Sequence, residues 1–198
     1  MTRPARLLVT LSLVGCAPER GAATAPGDDC SVGWSQTIEG ELTRITSVDS
    51  GTLDGPVTLQ IFSPGGDARD PAGAPVIVYV QGGWGTDVVP IDPDAAHLVH
   101  GHGAVSLYLN LPGGSGENAT GGTNDRRGAE ARRAVGQALA YAAGDLHDSG
   151  GCTLGGRVPA GLNGVRVLAG FSNGGNLAWA TLADAAIELP DVHGVATF

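Results

Sequence analysis

The spacing of hydrophobic and polar residues changes period along the chain, and each change predicts an element. Residues 34–48 alternate loosely and "PVTLQIFSP" (56–64) alternates clearly. That pattern predicts two strands joined by the turn "DSGTLDG". After the loop "GGDARDPAGA", the run "PVIVYVQ" (75–81) is continuously apolar and β-branched, as in a strand covered on both faces. The loop "GGWGTDVVPID" ends at Asp92, a candidate N-cap with Pro93 at the first helical position, and predicts a helix to about Val99. "AVSLYLNL" (104–111) is a further buried strand, followed by a long surface loop, "PGGSGENATGGTND". Ala131, Val135, Ala138, Leu139 and Ala142 give residues 127–146 a helical stripe. "DSGGCTLGGRVPAGLNG" reads as loop, "VRVLAG" as strand, "NLAWATLADAAI" as helix, and "VHGVATF" (192–198) begins another strand. From residue 75 onward strands and helices alternate. That order predicts an α/β architecture, a mostly parallel sheet with crossover helices on both faces.

The first residues do not fit this pattern. Arg3 and Arg6 precede the apolar run "LLVTLSLV" (7–14), which is too short to span a bilayer as a mature helix. It leads into "LVGC", which resembles the lipobox of bacterial lipoproteins. The resemblance implies a signal peptide over 1–15, with acylation of Cys16 as the new N-terminus. An ordinary secretory signal is the plainer alternative. Residues 16–32, rich in Ala, Gly and Pro, then form a tether, and 33–198 form the domain. The expected location is the bacterial cell envelope, with the membrane reached through the lipid.

Charge removes several functions. The net charge is −9, and all 11 Lys or Arg residues are arginines. Without lysine there is no Walker-type phosphate lysine and no Schiff-base or pyridoxal anchor. An acidic chain without a basic stripe is a poor nucleic-acid binder. Arg126, Arg127, Arg132 and Arg133 cluster, but Asp125 and Glu130 are interleaved with them, the pattern of a solvated helix face. With Cys16 set aside, Cys30 and Cys152 remain. In an exported chain an even remainder makes a candidate disulfide, although the sequence leaves the pairing open.

Two glycine-rich loops follow predicted strands, where functional groups gather in a parallel sheet. The first is Gln81-Gly82-Gly83-Trp84-Gly85. The second, "GFSNGGN", places Ser172 between Gly170, Gly174 and Gly175. It matches G-x-S-x-G in a strand–turn–helix context, where a nucleophile sits on a sharp turn and its neighbours must lack a Cβ. A tight turn that happens to hold a serine is the simpler alternative. The context and the second loop favour the elbow.

These motifs resemble the α/β-hydrolase superfamily. "GFSNGGN" is most similar to the G-x-S-x-G-G elbow of prolyl-oligopeptidase-like and esterase domains. "GSGENATGGTNDRRG" is similar to the loop that those domains carry after their fourth strand. The resemblance implies a serine hydrolase acting on a small ester or peptide, with Ser172 as nucleophile and no metal or organic cofactor. It also implies oxyanion donors at Asn173 and at Gly83 or Trp84.

In that superfamily the acid and the histidine follow the serine. Here only Asp184, Glu188, Asp191 and His193 follow it. Asp184 falls in the predicted helix after the elbow, and His193 falls at the start of the last strand, away from the serine. His97, His100 and His102 precede the serine in an H-x-x-H-x-H pattern, read as a helix C-terminus rather than a metal site. The expectation is a hydrolase domain truncated after about the sixth strand, inactive as this chain alone. The rival expectation is a non-catalytic lipoprotein of the same fold with a binding or envelope role.

Overall fold

A computed structural model describes residues 29–37, 40–100 and 102–198, except for the side chains of 97–100. The expected signal peptide, Cys16 and most of the expected tether lie outside the described residues, as do the side chains of His97 and His100. No helix among the described residues is long and apolar enough to cross a membrane.

The strands are β1 (Ser35–Gln36), β2 (Leu42–Val48), β3 (Val57–Ser63), β4 (Ala74–Val80), β5 (Val105–Leu109), β6 (Leu162–Gly170) and β7 (Gly194–Thr197). The helices are α1 (Pro93–His100), α2 (Ala129–Ala143), α3 (Leu154–Arg157) and α4 (Asn173–Leu182). The seven strands form one sheet in the order β1-β2-β3-β5-β4-β6-β7. The first three strands and the β3–β5 pair are antiparallel, whereas β5, β4, β6 and β7 are mutually parallel. The expected fold class is therefore the observed one.

The core lies mainly between the sheet and helices α2 and α4. Val76, Val78 and Val80 of β4 pack there with Leu107 and Leu109 of β5, Val135 and Leu139 of α2, and Leu177 of α4. Strand β4 is less enclosed than its sequence predicts, because Pro75, Ile77 and Tyr79 on its other face are only half-buried. On that face Phe62, Tyr108, Val89 and Ala96 form a smaller cluster.

Several boundaries differ from the expectation. Helix α2 starts at Ala129 rather than Arg127, because Arg126 and Arg127 have φ of 54° and 74°. The Asp125 carboxylate accepts from the N–H of Gly128 at 2.9 Å and of Glu130 at 2.6 Å, supplying the helix start. Its end comes at Gly144, left-handed at φ 85°. Helix α4 runs over Asn173–Leu182, earlier at both ends than "NLAWATLADAAI". The stretch read as loop after residue 147 contains α3, whose N-cap Thr153 accepts from Gly156 N–H at 3.1 Å.

A buried ionic cluster sits beside α3. The Arg157 guanidinium donates twice to Asp148, at 2.8 and 3.0 Å, and both side chains are sealed from solvent. Asp148 also accepts from Tyr141 Oη at 3.2 Å and from the N–H groups of Gly150 and Cys152. Arg157 additionally donates to the carbonyl of Cys30 at 3.3 Å. Cys30 and Cys152 are disulfide-bonded, with Cα atoms 5.9 Å apart. Disulfide and ion pair together fasten the start of the domain to the α3 region.

Candidate active site

Strands β4 and β6 are parallel neighbours, with Val80 opposite Gly170. The loop after β4 and the turn after β6 therefore leave the sheet at the same carboxyl edge. Ser172 occupies that turn, at φ 53° and ψ −119°, as the N-cap of α4. A non-glycine residue in this region stores about 1–3 kcal/mol of strain. Its N–H donates to Phe198 O at 2.9 Å and its carbonyl accepts from Gly175 N–H at 2.9 Å, fixing the turn on both sides. Its hydroxyl makes no capping hydrogen bond, and the residue is exposed. Oγ is thus presented at the positive end of α4 rather than consumed by it.

The glycines explain how α4 comes so close to the sheet. A Cβ on Gly170 would lie 2.5 Å from Gly174 O, and one on Gly174 would fall on the carbonyl oxygen of Val80. A Cβ on Gly175 would press on Thr197 at 3.2 Å, a milder contact. We expect Gly174→Val to lower stability by about 3 kcal/mol, the upper part of the usual range for overpacking. Backbone that cannot rotate away forms the obstacle. Urea unfolding of the full-length protein checks this, and a variant as stable as its parent would refute the close packing of α4 on β4.

The loop after β4 touches the serine through Gly82. A Cβ there would lie 2.8 Å from Phe171 O and 3.2 Å from Ser172 Cβ. Gly83 is left-handed at φ 69°, and Trp84 is 64% exposed. The N–H groups of Gly83, Trp84 and Asn173 have no acceptor among the described residues. The residues expected to bind an oxyanion thus carry free donors on two segments that meet at Ser172. Gly82, the residue in direct contact, carried no sequence signal beyond being one glycine of three.

The arginines correct an expectation. Only Arg132 and Arg133 lie on α2, and Arg132 Nε pairs with Asp184 at 2.7 Å. Arg127 turns inward instead. Its Nη2 lies at 2.8 Å from Gly83 O, 3.2 Å from Gly82 O, 3.3 Å from Gly85 O and 3.4 Å from Gln81 O. Burial pushes its guanidinium below the usual arginine range. The solvated-face reading fails for Arg127 because the chain is left-handed just where the helical stripe was extended backwards.

No histidine is brought to Ser172 among the described residues. His193 precedes β7, where its N–H donates to Arg166 O at 2.8 Å and its Nδ1 accepts from Arg166 N–H at 3.3 Å. The serine turn meets the chain at Phe198, five residues on, or about 16 Å of extended backbone. Asp184 is engaged by Arg132 and by Ala186 N–H, which hold its carboxyl below the ordinary range. Glu188 and Asp191 are exposed. No group of three His, Cys, Asp or Glu among the described residues is placed to hold a metal ion.

No family model and no curated protein matches the chain. Solved structures do. A fungal esterase structure from Rhizomucor miehei matches with a TM-score of 0.56 at 16% identity, over 80% of this chain and 44% of that one. Brefeldin A esterase, described as a bacterial homologue of human hormone-sensitive lipase, matches with a TM-score of 0.53 at 21% identity, over 84% and 42%. Carboxyl esterase 2 from Tuber melanosporum matches with 0.51 at 17% identity, over 88% and 47%. The chain thus spans less than half the length of these structures. A mostly parallel sheet in this strand order, with helices packed on it and these esterases as structural neighbours, gives the chain the α/β-hydrolase fold.

Proposed function

We propose that this chain carries the nucleophile and oxyanion site of a serine esterase. The observation that carries the reading is Ser172, an exposed residue at φ 53° whose side chain makes no capping hydrogen bond at the start of α4. Ser172 Oγ attacks the ester carbonyl, and a histidine that the described residues do not supply takes its proton. The N–H of Asn173 and that of Gly83 or Trp84 hold the oxyanion. The histidine returns the proton to the leaving alcohol, and water then hydrolyses the acyl-enzyme. One such donor contributes about 3–4 kcal/mol to lowering the barrier.

An ester is preferred to a peptide because the structural neighbours are described as esterases. The test is turnover of short-chain p-nitrophenyl esters and matching p-nitroanilides by the full-length protein. Ester turnover that outpaces the anilide supports the reading, and no turnover above the uncatalysed rate defeats it. The second reading, a hydrolase-fold lipoprotein with a binding or envelope role, draws on the absence of a histidine at Ser172 among the described residues. It predicts that null result.

We further propose that the protein is exported and anchored through acylated Cys16, with no nucleic-acid partner. "LVGC" and the Cys30–Cys152 disulfide support an exported chain. Each buried CH₂ of an acyl chain adds about 0.8 kcal/mol of membrane affinity, so two or more chains anchor firmly. Mass spectrometry of the protein from its native membrane should find a lipid-modified N-terminal cysteine. An unmodified N-terminus or cleavage elsewhere ends the proposal.

A further inference from the structure

We infer that Arg127 is a positioning residue that orients the amides of the oxyanion loop toward Ser172; this rests on the acyl-transfer reading above. The geometry begins with a single nitrogen. Nη2 of Arg127 is within hydrogen-bonding distance of the carbonyl oxygens of Gln81, Gly82, Gly83 and Gly85. It has two hydrogens for four acceptors, so the loop is curled around the cation rather than joined to it at one point.

In a trans peptide the C=O and the following N–H point in opposite directions. The carbonyl of Gly82 shares its peptide with Gly83 N–H, and that of Gly83 shares its peptide with Trp84 N–H. Drawing both carbonyls to Arg127 turns both N–H groups away from it. Those are the donors without an acceptor, on the loop whose Gly82 abuts Phe171 and Ser172. The nearby cation also polarises the two peptides and strengthens their N–H groups as donors.

Arg127 is placed at a cost that a simple surface residue would not carry. Arg126 and Arg127 are consecutive non-glycine residues with positive φ. Asn124 Oδ1 accepts from Arg126 N–H at 3.0 Å, and the Asp125 carboxylate accepts from the N–H groups of Gly128 and Glu130 on the far side, so the side chain is aimed inward by a locally fixed turn. No carboxylate pairs with Arg127 among the described residues, and its Nε is buried without a partner. The carbonyl dipoles of the loop are what compensate the charge. A lysine would bring a point charge to the same place without the planar fork.

The test compares Arg127→Met and Arg127→Lys in the full-length protein by amide NMR and ester kinetics. In Arg127→Met the Gly83 and Trp84 amide signals should move. kcat for a short-chain p-nitrophenyl ester should fall about 100-fold, with KM changed by no more than about twofold, as when a donor acts in the transition state. Arg127→Lys should be intermediate in both. Unmoved Gly83 and Trp84 signals, or an unchanged kcat, would overturn the inference. So would a loss confined to KM. If the methionine variant fails to fold, the lysine variant decides by the same two readouts. Wild-type turnover no faster than that of Ser172→Ala would defeat the esterase reading instead, and the amide signals would still judge the hold of Arg127 on the loop.

Discussion

Ser172→Ala in the full-length protein is expected to lower ester kcat by about 10⁴-fold or more. Without Oγ there is no acyl-enzyme, and the oxyanion donors alone sustain only about 10³ to 10⁴ over water. Stability should scarcely change, because alanine keeps the Cβ that makes φ 53° unfavourable. Ser172→Gly separates the two effects. It should lose activity to the same extent while gaining about 1 kcal/mol, since glycine adopts positive φ without steric cost. Steady-state hydrolysis and urea unfolding of both variants check the pair of outcomes. A glycine variant that is less stable than its parent would show that the turn is not strained.

The second large effect concerns stability alone. Asp148→Ala should cost about 3–5 kcal/mol, the usual consequence of leaving a buried charge without its partner. Arg157 would keep only the Cys30 carbonyl among its bonds described above, while Tyr141 Oη and the N–H groups of Gly150 and Cys152 would lose their acceptor. The same cluster sets an acid limit. Burial pushes the Asp148 carboxyl up, but hydrogen bonds from Arg157, Cys152 and Gly150 outweigh it and hold it below its ordinary value. A carboxyl depressed on folding contributes fully above its unfolded pKa of about 3.9 and loses that contribution as pH falls through the folded value. Wild-type stability should therefore drop below about pH 4, and Asp148→Asn should flatten that drop while lowering the plateau. Urea midpoints at neutral and acid pH measure both, and an Asp148→Ala midpoint equal to wild type would refute the cluster's role.

Much of the sheet was legible because its signals are local. The run 75–81 and the "VRVLAG" stretch announced β4 and β6, and a serine among spaced glycines announced the turn between β6 and α4. His193 was legible as a residue at the wrong end of a strand, which is where it lies. What escaped depends on tertiary contacts. Arg127 belongs by periodicity to the helix that follows, and only two consecutive left-handed residues turn it under the loop after β4. Arg157 sits in a stretch that reads as loop, yet it is sealed against an aspartate nine residues earlier. Gly82 is one of several adjacent glycines, and only the approach of Phe171 and Ser172 distinguishes it.

Whether Ser172 is a nucleophile can be read by labelling the full-length protein with a fluorophosphonate and mapping the adduct by mass spectrometry. A single adduct is expected on the peptide that carries Ser172, abolished by Ser172→Ala. An unlabelled protein, or an adduct on another residue with Ser172 unmodified, would contradict it.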